Sequence, residues 1–207
     1  MSQITIPLFP LGTVLYPDAL LPLQIFEVRY LDMIRRCLKE NTGFGIISLK
    51  AGAETRQPGE KIDLAKYGTL VKIQKADAAD SNLIKITVEG TQRFELHSYE
   101  QQKNGLWTGQ VTLLPADTAI EIPEDLTSCA NALAELIESF DEKGITPEQI
   151  PFSKPYRLMD CGWVANRWSE LLPLDPTTKI QFLTIDSPLL RLELVSDQLQ
   201  DYGLIKP

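Results

Sequence analysis

The stretch Ile6-Pro7-Leu8-Phe9-Pro10-Leu11-Gly12-Thr13-Val14-Leu15-Tyr16-Pro17, continued by Leu20-Leu21-Pro22-Leu23-Gln24-Ile25-Phe26, constrains this chain more than any other. Each proline fixes φ and removes a backbone donor, so no uninterrupted helix can form there; the pattern predicts short strands that end or bend at each Pro, with Gly12 in a turn. A run this apolar is stable in water only when covered. Later strands are therefore expected to pack on it and make it the centre of a first core.

The rest of the first half continues in that sense. Phe26, Tyr30, Met33 or Ile34, and Cys37 or Leu38 recur at helical spacing, which predicts a helix over Phe26 to Glu40 with Gly43 as its stop. Its polar face carries Arg29, Asp32, Arg35, Arg36 and Lys39 and reads as a solvated face. Phe44 to Leu49 is a short apolar strand, and residues 51–65 form a long polar loop. Gly68 to Gln74 is a strand, Asp77 to Asn82 a polar turn, and Ile84, Ile86 and Val88 alternate with polar residues as in a half-buried strand. Gly90 marks a bulge or bend before Arg93 to His97, and Leu106 to Leu114 is a further strand. Antiparallel strands separated by turns, with one early helix, predict a closed or nearly closed barrel.

Strand signals stop between Pro115 and Pro123 and helical periodicity takes over. Pro123 with Glu124 and Asp125 makes a favourable first turn, and Leu126, Cys129, Leu133, Leu136 or Ile137, and Phe140 form an apolar stripe that ends near Gly144. Residues 145–155 hold three prolines and read as irregular. Asp160, Asp175 and Ser187 are helix caps, the last two followed by proline at the first helical position, and Gly203 is a terminator. A small helical bundle follows from these signals.

Charge divides along the same line. Residues 1–115 carry 13 Lys and Arg against 12 Asp and Glu, while residues 116–207 carry 7 against 16, so the second half repels polyanions. The short cluster Arg35-Arg36 with Lys39 is too little for a phosphate-tracking surface. Three scattered cysteines, Cys37, Cys129 and Cys161, indicate neither a disulfide framework nor a zinc site, and a reducing cytoplasm fits them. Neither a signal peptide nor a run of eighteen apolar residues is visible, so export and membrane spanning are not expected.

Reactive constellations are equally sparse. His97 is the one histidine and reads as a solvated strand-end residue; no GxSxG elbow and no GxxxxGK[ST] loop occur. Glu121, Glu124 and Asp125 are explained as partners of a helix dipole, and Trp163 and Trp168 as core. Glu27 beside Phe26 and Arg93 beside Phe94 are charges attached to apolar segments, which predicts a partly buried ion pair between them. No catalytic, cofactor-binding or metal-ligating residue is assigned.

Taken in order, Pro7-Leu8-Phe9-Pro10-Leu11-Gly12, Val14-Leu15-Tyr16-Pro17, Leu21-Pro22-Leu23, Ile25-Phe26-Glu27, Arg29-Tyr30, Gly68-Thr69 and Gly90-Thr91-Gln92-Arg93-Phe94 resemble the amino-terminal substrate-binding domain of the ATP-dependent Lon proteases. Leu171-Leu172-Pro173-Leu174 and Arg191-Leu192-Glu193-Leu194 are similar to its helical part. The resemblance implies an α+β chain: a PUA-like antiparallel β-barrel with one early helix over 1–117, then a small C-terminal helical bundle over 118–207. It implies non-catalytic binding of unfolded or extended polypeptide, with a separate ATPase or protease as a further partner, since full-length members carry ATPase and Ser-Lys peptidase modules and this sequence shows the motif of neither. Tyr16, Leu20 and Trp107 are then candidate peptide contacts, the alternative for each being completion of the core. Related PUA-like folds bind RNA, which gives a second reading that the acidic second half disfavours.

Overall fold

In the computed structural model, which describes residues 3–51, 62–80, 82–146 and 149–206, the chain divides into two compact units, Met1–Pro115 and Ala116–Pro207. The first contains β1 (Gln3–Leu11), β2 (Leu20–Ile25), α1 (Val28–Glu40), β3 (Phe44–Ala51), β4 (Asp63–Asp80), β5 (Leu83–Gln101) and β6 (Trp107–Leu113). These strands form one sheet in the order β2-β5-β4-β3-β1-β6, with β5 also bonded to β6. The fold is α+β, but the sheet is mixed where an antiparallel one was expected: β1 and β3 run parallel. The chain between them includes α1, and a crossover of that kind returns a strand in its original direction, which a hairpin cannot do.

β1 runs unbroken through Pro7 and Pro10, so neither proline ends the strand, one of the two outcomes, an end or a bend, expected at each. Pro7 lies opposite Thr108 on β6 and Pro10 opposite Ile47 on β3, so each has a strand on one flank only. A proline nitrogen directed at the open flank disturbs no ladder bond. β4 and β5 are likewise longer than their apolar patterns suggested, at 18 and 19 residues. Their pairing absorbs Gly90-Thr91 as a register shift, Leu70 facing Gln92 and Val71 facing Gly90, and the Thr91 hydroxyl donates to the Leu70 carbonyl. Most of the polar loop expected at 51–65 and one residue of the turn at 77–82 lie outside the described residues.

The apolar connector between β1 and β2 is buried through Val14, Leu15 and Tyr16. Its carbonyls cannot all reach water, so they need partners from the protein. The buried hydroxyl of Thr69 donates to the Leu15 carbonyl at 2.6 Å, and Ser48 donates to that of Thr13 at 2.7 Å. Gly90 donates to the Ala19 carbonyl at 2.9 Å and accepts from Asp18 at 2.8 Å. A side chain at Gly90 would place Cβ 2.1 Å from the Tyr16 carbonyl oxygen, so this contact requires glycine. The connector is thereby tied to β3, β4 and β5 together.

Helix α1 lays Tyr30, Met33, Ile34 and Cys37 on the core, with Phe9 and Tyr30 ring centroids 4.1 Å apart. It begins at Val28, two residues later than its periodicity suggested, and its left-handed cap is Asn41, φ 52°, in place of Gly43. Gly43 serves a different need: a Cβ there would lie 2.1 Å from the Val71 carbonyl oxygen of β4.

The second unit contains a 3-10 turn (Glu124–Leu126), α2 (Thr127–Glu142), α3 (Cys161–Leu171), α4 (Pro176–Thr184) and α5 (Pro188–Asp201). The capping residues act as their types dictate. Asp160 accepts from the amides of Gly162 and Trp163, Asp175 from Thr177 and Thr178, and Ser187 from Leu190. Trp163 and Trp168 are core residues, the indole of Trp168 donating to the Cys129 carbonyl at 2.9 Å. Arg191, fully buried on α5, donates twice to the Asp117 carboxylate at 2.6 and 3.1 Å, to Asn166 at 2.8 Å and to the Ile185 carbonyl. One guanidinium thus joins the segment before the 3-10 turn, α3, the end of α4 and α5.

Two stability changes follow. Arg191→Met removes four donated bonds from buried or half-buried acceptors and is expected to cost about 3–5 kcal/mol. Gly90→Ala is expected to cost about 1–3 kcal/mol, because Cβ can enter only by displacing the connector backbone. Urea denaturation monitored by tryptophan fluorescence and far-UV circular dichroism measures both.

Candidate functional site

At the junction of β2 and α1 the chain alternates between buried anchors and exposed apolar side chains. Ile25 is buried and Arg29 is 8% exposed, while Phe26 and Val28 are 60% and 72% exposed. The local backbone explains this. Glu27, at the N-cap of α1, is extended (φ −75°, ψ 131°), and its carbonyl accepts from the amides of Tyr30 and Leu31, both at 2.9 Å. The helix therefore starts beyond Phe26, which the periodicity had placed on the buried stripe.

Arg29 holds the junction in place. Its guanidinium pairs with Glu27 at 2.8 Å, donates to the Gly105 carbonyl at 2.9 Å and lies 4.5 Å from the centroid of the Tyr30 ring. Gly105, φ 85°, sits in the β5–β6 turn, which Leu106 anchors in the core. The same arrangement revises two sequence expectations. Arg29 belongs to the interior and not to a solvated helix face. Glu27 forms its ion pair with Arg29, where Arg93 was expected, because Arg29, in the first turn of the helix that Glu27 caps, is a cation within direct reach. Arg93 is buried on β5 opposite Thr69.

The strand leading into this junction is the edge of the sheet: among the described residues β2 pairs with β5 alone. Leu21 and Leu23 pack against the core from it, and Leu20 is half-buried. Trp107 is also half-buried, at the start of β6, edge-on to Tyr99 with centroids 5.7 Å apart. Beside that pair lies a polar groove of about 280 Å³ between Thr5, Ser98, Tyr99, Glu100, Thr108 and Gln110. Leu20 faces Glu89 and Trp107 faces Gln101, toward opposite ends of β5, so the structure does not bring these two candidates into one contact surface. Tyr16, the third candidate, has none of its surface exposed and completes the core, a correction that follows from the connector's burial.

His97 is exposed, its Nε2 hydrogen-bonded to the Thr112 hydroxyl at 2.7 Å. The three cysteines are free and buried, and burial pushes each thiol pKa upward. Among the described residues no group of three or more His, Cys, Asp or Glu could hold a metal ion. In the second unit Ile120, Tyr156, Leu158 and Met159 line an apolar surface groove of about 580 Å³, with Glu121, Arg157 and Asp160 also on its wall.

A six-stranded mixed sheet with its crossover helix, followed by a unit of short capped helices, is the architecture of Lon N-terminal domains. The model of the ATP-dependent protease La (LON) substrate-binding domain matches residues 5–201, and the chain belongs to that family. It is similar to the crystal structure of a Lon N-terminal domain protein from Xanthomonas campestris, with 29% identity, 94% of this chain and 98% of that chain covered, and a TM-score of 0.73. The N-terminal domain of the Mycobacterium avium complex Lon protease shares the fold at 16% identity, covering 96% and 100% of the two chains, with a TM-score of 0.65. Protein cereblon of Danio rerio is 26% identical over 114 residues, 53% of this chain but 25% of that protein, so the chain spans about a quarter of that relative's length.

The Arg29 clamp carries a direct prediction. Arg29→Met is expected to lower the thermal midpoint and to loosen the β5–β6 turn, seen as faster amide exchange at Gly105 and Leu106, because both the Gly105 carbonyl and Glu27 lose their charged partner.

Proposed function

We propose that this chain is a non-catalytic polypeptide-binding module that takes up unfolded or extended clients on its first unit. The observation that carries this reading is the pair Phe26 and Val28, held outward by Arg29 directly after an edge strand. Exposed apolar side chains beside free main-chain groups bind extended chains with little demand on sequence. Membership of a substrate-binding family supports the same reading. A separate ATPase or protease acts on the clients it holds. Leu20 contributes from the edge strand, and Trp107 belongs to a second surface with Tyr99. Among the described residues no helix is long and apolar enough to cross a membrane. Three buried, free cysteines suit a reducing compartment such as the cytoplasm.

Fluorescence anisotropy with labelled, reduced and carboxymethylated lysozyme tests the proposal. Binding is expected in the micromolar range, to change little with salt, and to weaken about tenfold or more in a Phe26→Ser/Val28→Ser double variant whose thermal midpoint is unchanged. Absence of binding at high micromolar protein would end this reading. Binding to single-stranded RNA that falls steeply with salt would support a nucleic-acid role in its place.

A further inference from the structure

Resting on the polypeptide-binding reading, we propose that clients join β2 as an added strand, and that Pro22 sets the register of that addition. In an antiparallel ladder successive residues direct their N–H and C=O groups to opposite flanks. Gly90 of β5 donates to the carbonyl of Ala19, immediately before the paired run that begins with Leu20 opposite Glu89. Alternate residues from Ala19 onward, namely Leu21, Leu23 and Ile25, therefore turn their backbone groups toward β5. Leu20, Pro22 and Gln24 turn theirs to the flank where the described residues place no strand. Proline at the centre of the strand agrees with this parity, since its nitrogen has no hydrogen to withdraw from the β5 ladder.

The open flank thus presents carbonyls at Leu20, Pro22 and Gln24 but amide donors only at Leu20 and Gln24. Donors and acceptors repeating every second residue, at about 6.6–7 Å, match the backbone of an extended polypeptide. Client residues opposite Leu20 and Gln24 form both main-chain bonds. The client residue opposite Pro22 donates its N–H to the Pro22 carbonyl, while its own carbonyl meets the pyrrolidine ring and finds no donor. The consequence is a strand addition with one bond missing at a fixed place. That weakens the hold on a client, keeps it reversible, and disfavours pairing of β2 with the same edge of a second copy. Phe26 and Val28, which follow the edge in the chain, supply the apolar contact that the incomplete ladder lacks.

The test uses the full chain with reduced, carboxymethylated lysozyme as the probe. Amide hydrogen exchange followed by NMR is expected to slow about tenfold or more at Leu20 and Gln24 when the probe is saturating, with Leu21 and Leu23 unchanged because β5 already protects them. Pro22→Val completes the edge and is expected to tighten probe binding by about three- to tenfold, the worth of one net main-chain bond. If the probe binds but exchange at Leu20 and Gln24 does not change, strand addition is overturned while polypeptide binding stands. A folded Pro22→Val variant with unaltered affinity overturns the role of Pro22. Should that variant not fold, the exchange result on the unmodified chain decides. A probe that does not bind at all removes the underlying reading and this inference with it.

Discussion

The hydroxyl of Thr69 reaching the carbonyl of Leu15 at 2.6 Å stands for the constraint on which the first unit rests. Between β1 and β2 the chain is too apolar to lie in water, yet it is irregular and cannot satisfy its own backbone groups. Ser48, Thr69 and Gly90, from three different strands, help to bury it by presenting a donor or a gap at the right places. Each contact is a modest net gain, about 0.5–1.5 kcal/mol for a hydrogen bond, but leaving such a carbonyl bare inside costs more than the bond contributes. Once the connector is fixed, the course of β2 along β5 is fixed with it, and so is the edge that β2 exposes.

The second unit meets a similar problem by different means. Its helices are short, at 16, 11, 9 and 14 residues, and too brief to persist by propensity alone. Caps at Asp160, Asp175 and Ser187 define where three of them start. Their mutual arrangement depends on Arg191, whose donors are shared among Asp117, Asn166 and Ile185. Such a centre is demanding because loss of either partner leaves charge in a dry place, and it fixes the packing for the same reason.

The proposed binding surface rests on what the fold leaves outside. Phe26 and Val28 are bracketed by the buried Ile25 and Arg29, and Arg29 pairs with Glu27, which lies between the two exposed side chains in an extended N-cap conformation. Sequence periodicity missed this because Phe26 is in phase with Tyr30 and Ile34, so a helix begun two residues early would have buried it. The signal that could have revealed it is the interleaving of Phe26 and Val28 with Glu27 and Arg29, a period of two and not of three or four. Tyr16 resolves to the core, the alternative that the apolar connector around it already offered: a run that must be covered leaves its ring no surface for a client.

By itself the sequence determined the kind of elements and their order: apolar opening strands, one early amphipathic helix, alternating strands, then capped helices, because periodicity, capping and turn chemistry act over a few residues. It also carried the family, through motifs spread over both halves. Only the tertiary structure decided that β1 and β3 run parallel, that prolines may stand inside a strand, that Arg29 and Arg191 lie in the interior, and that β2 is the edge. Those outcomes depend on which distant segment supplies a partner for each backbone group and each charge, and that pairing is a property of the packed chain as a whole.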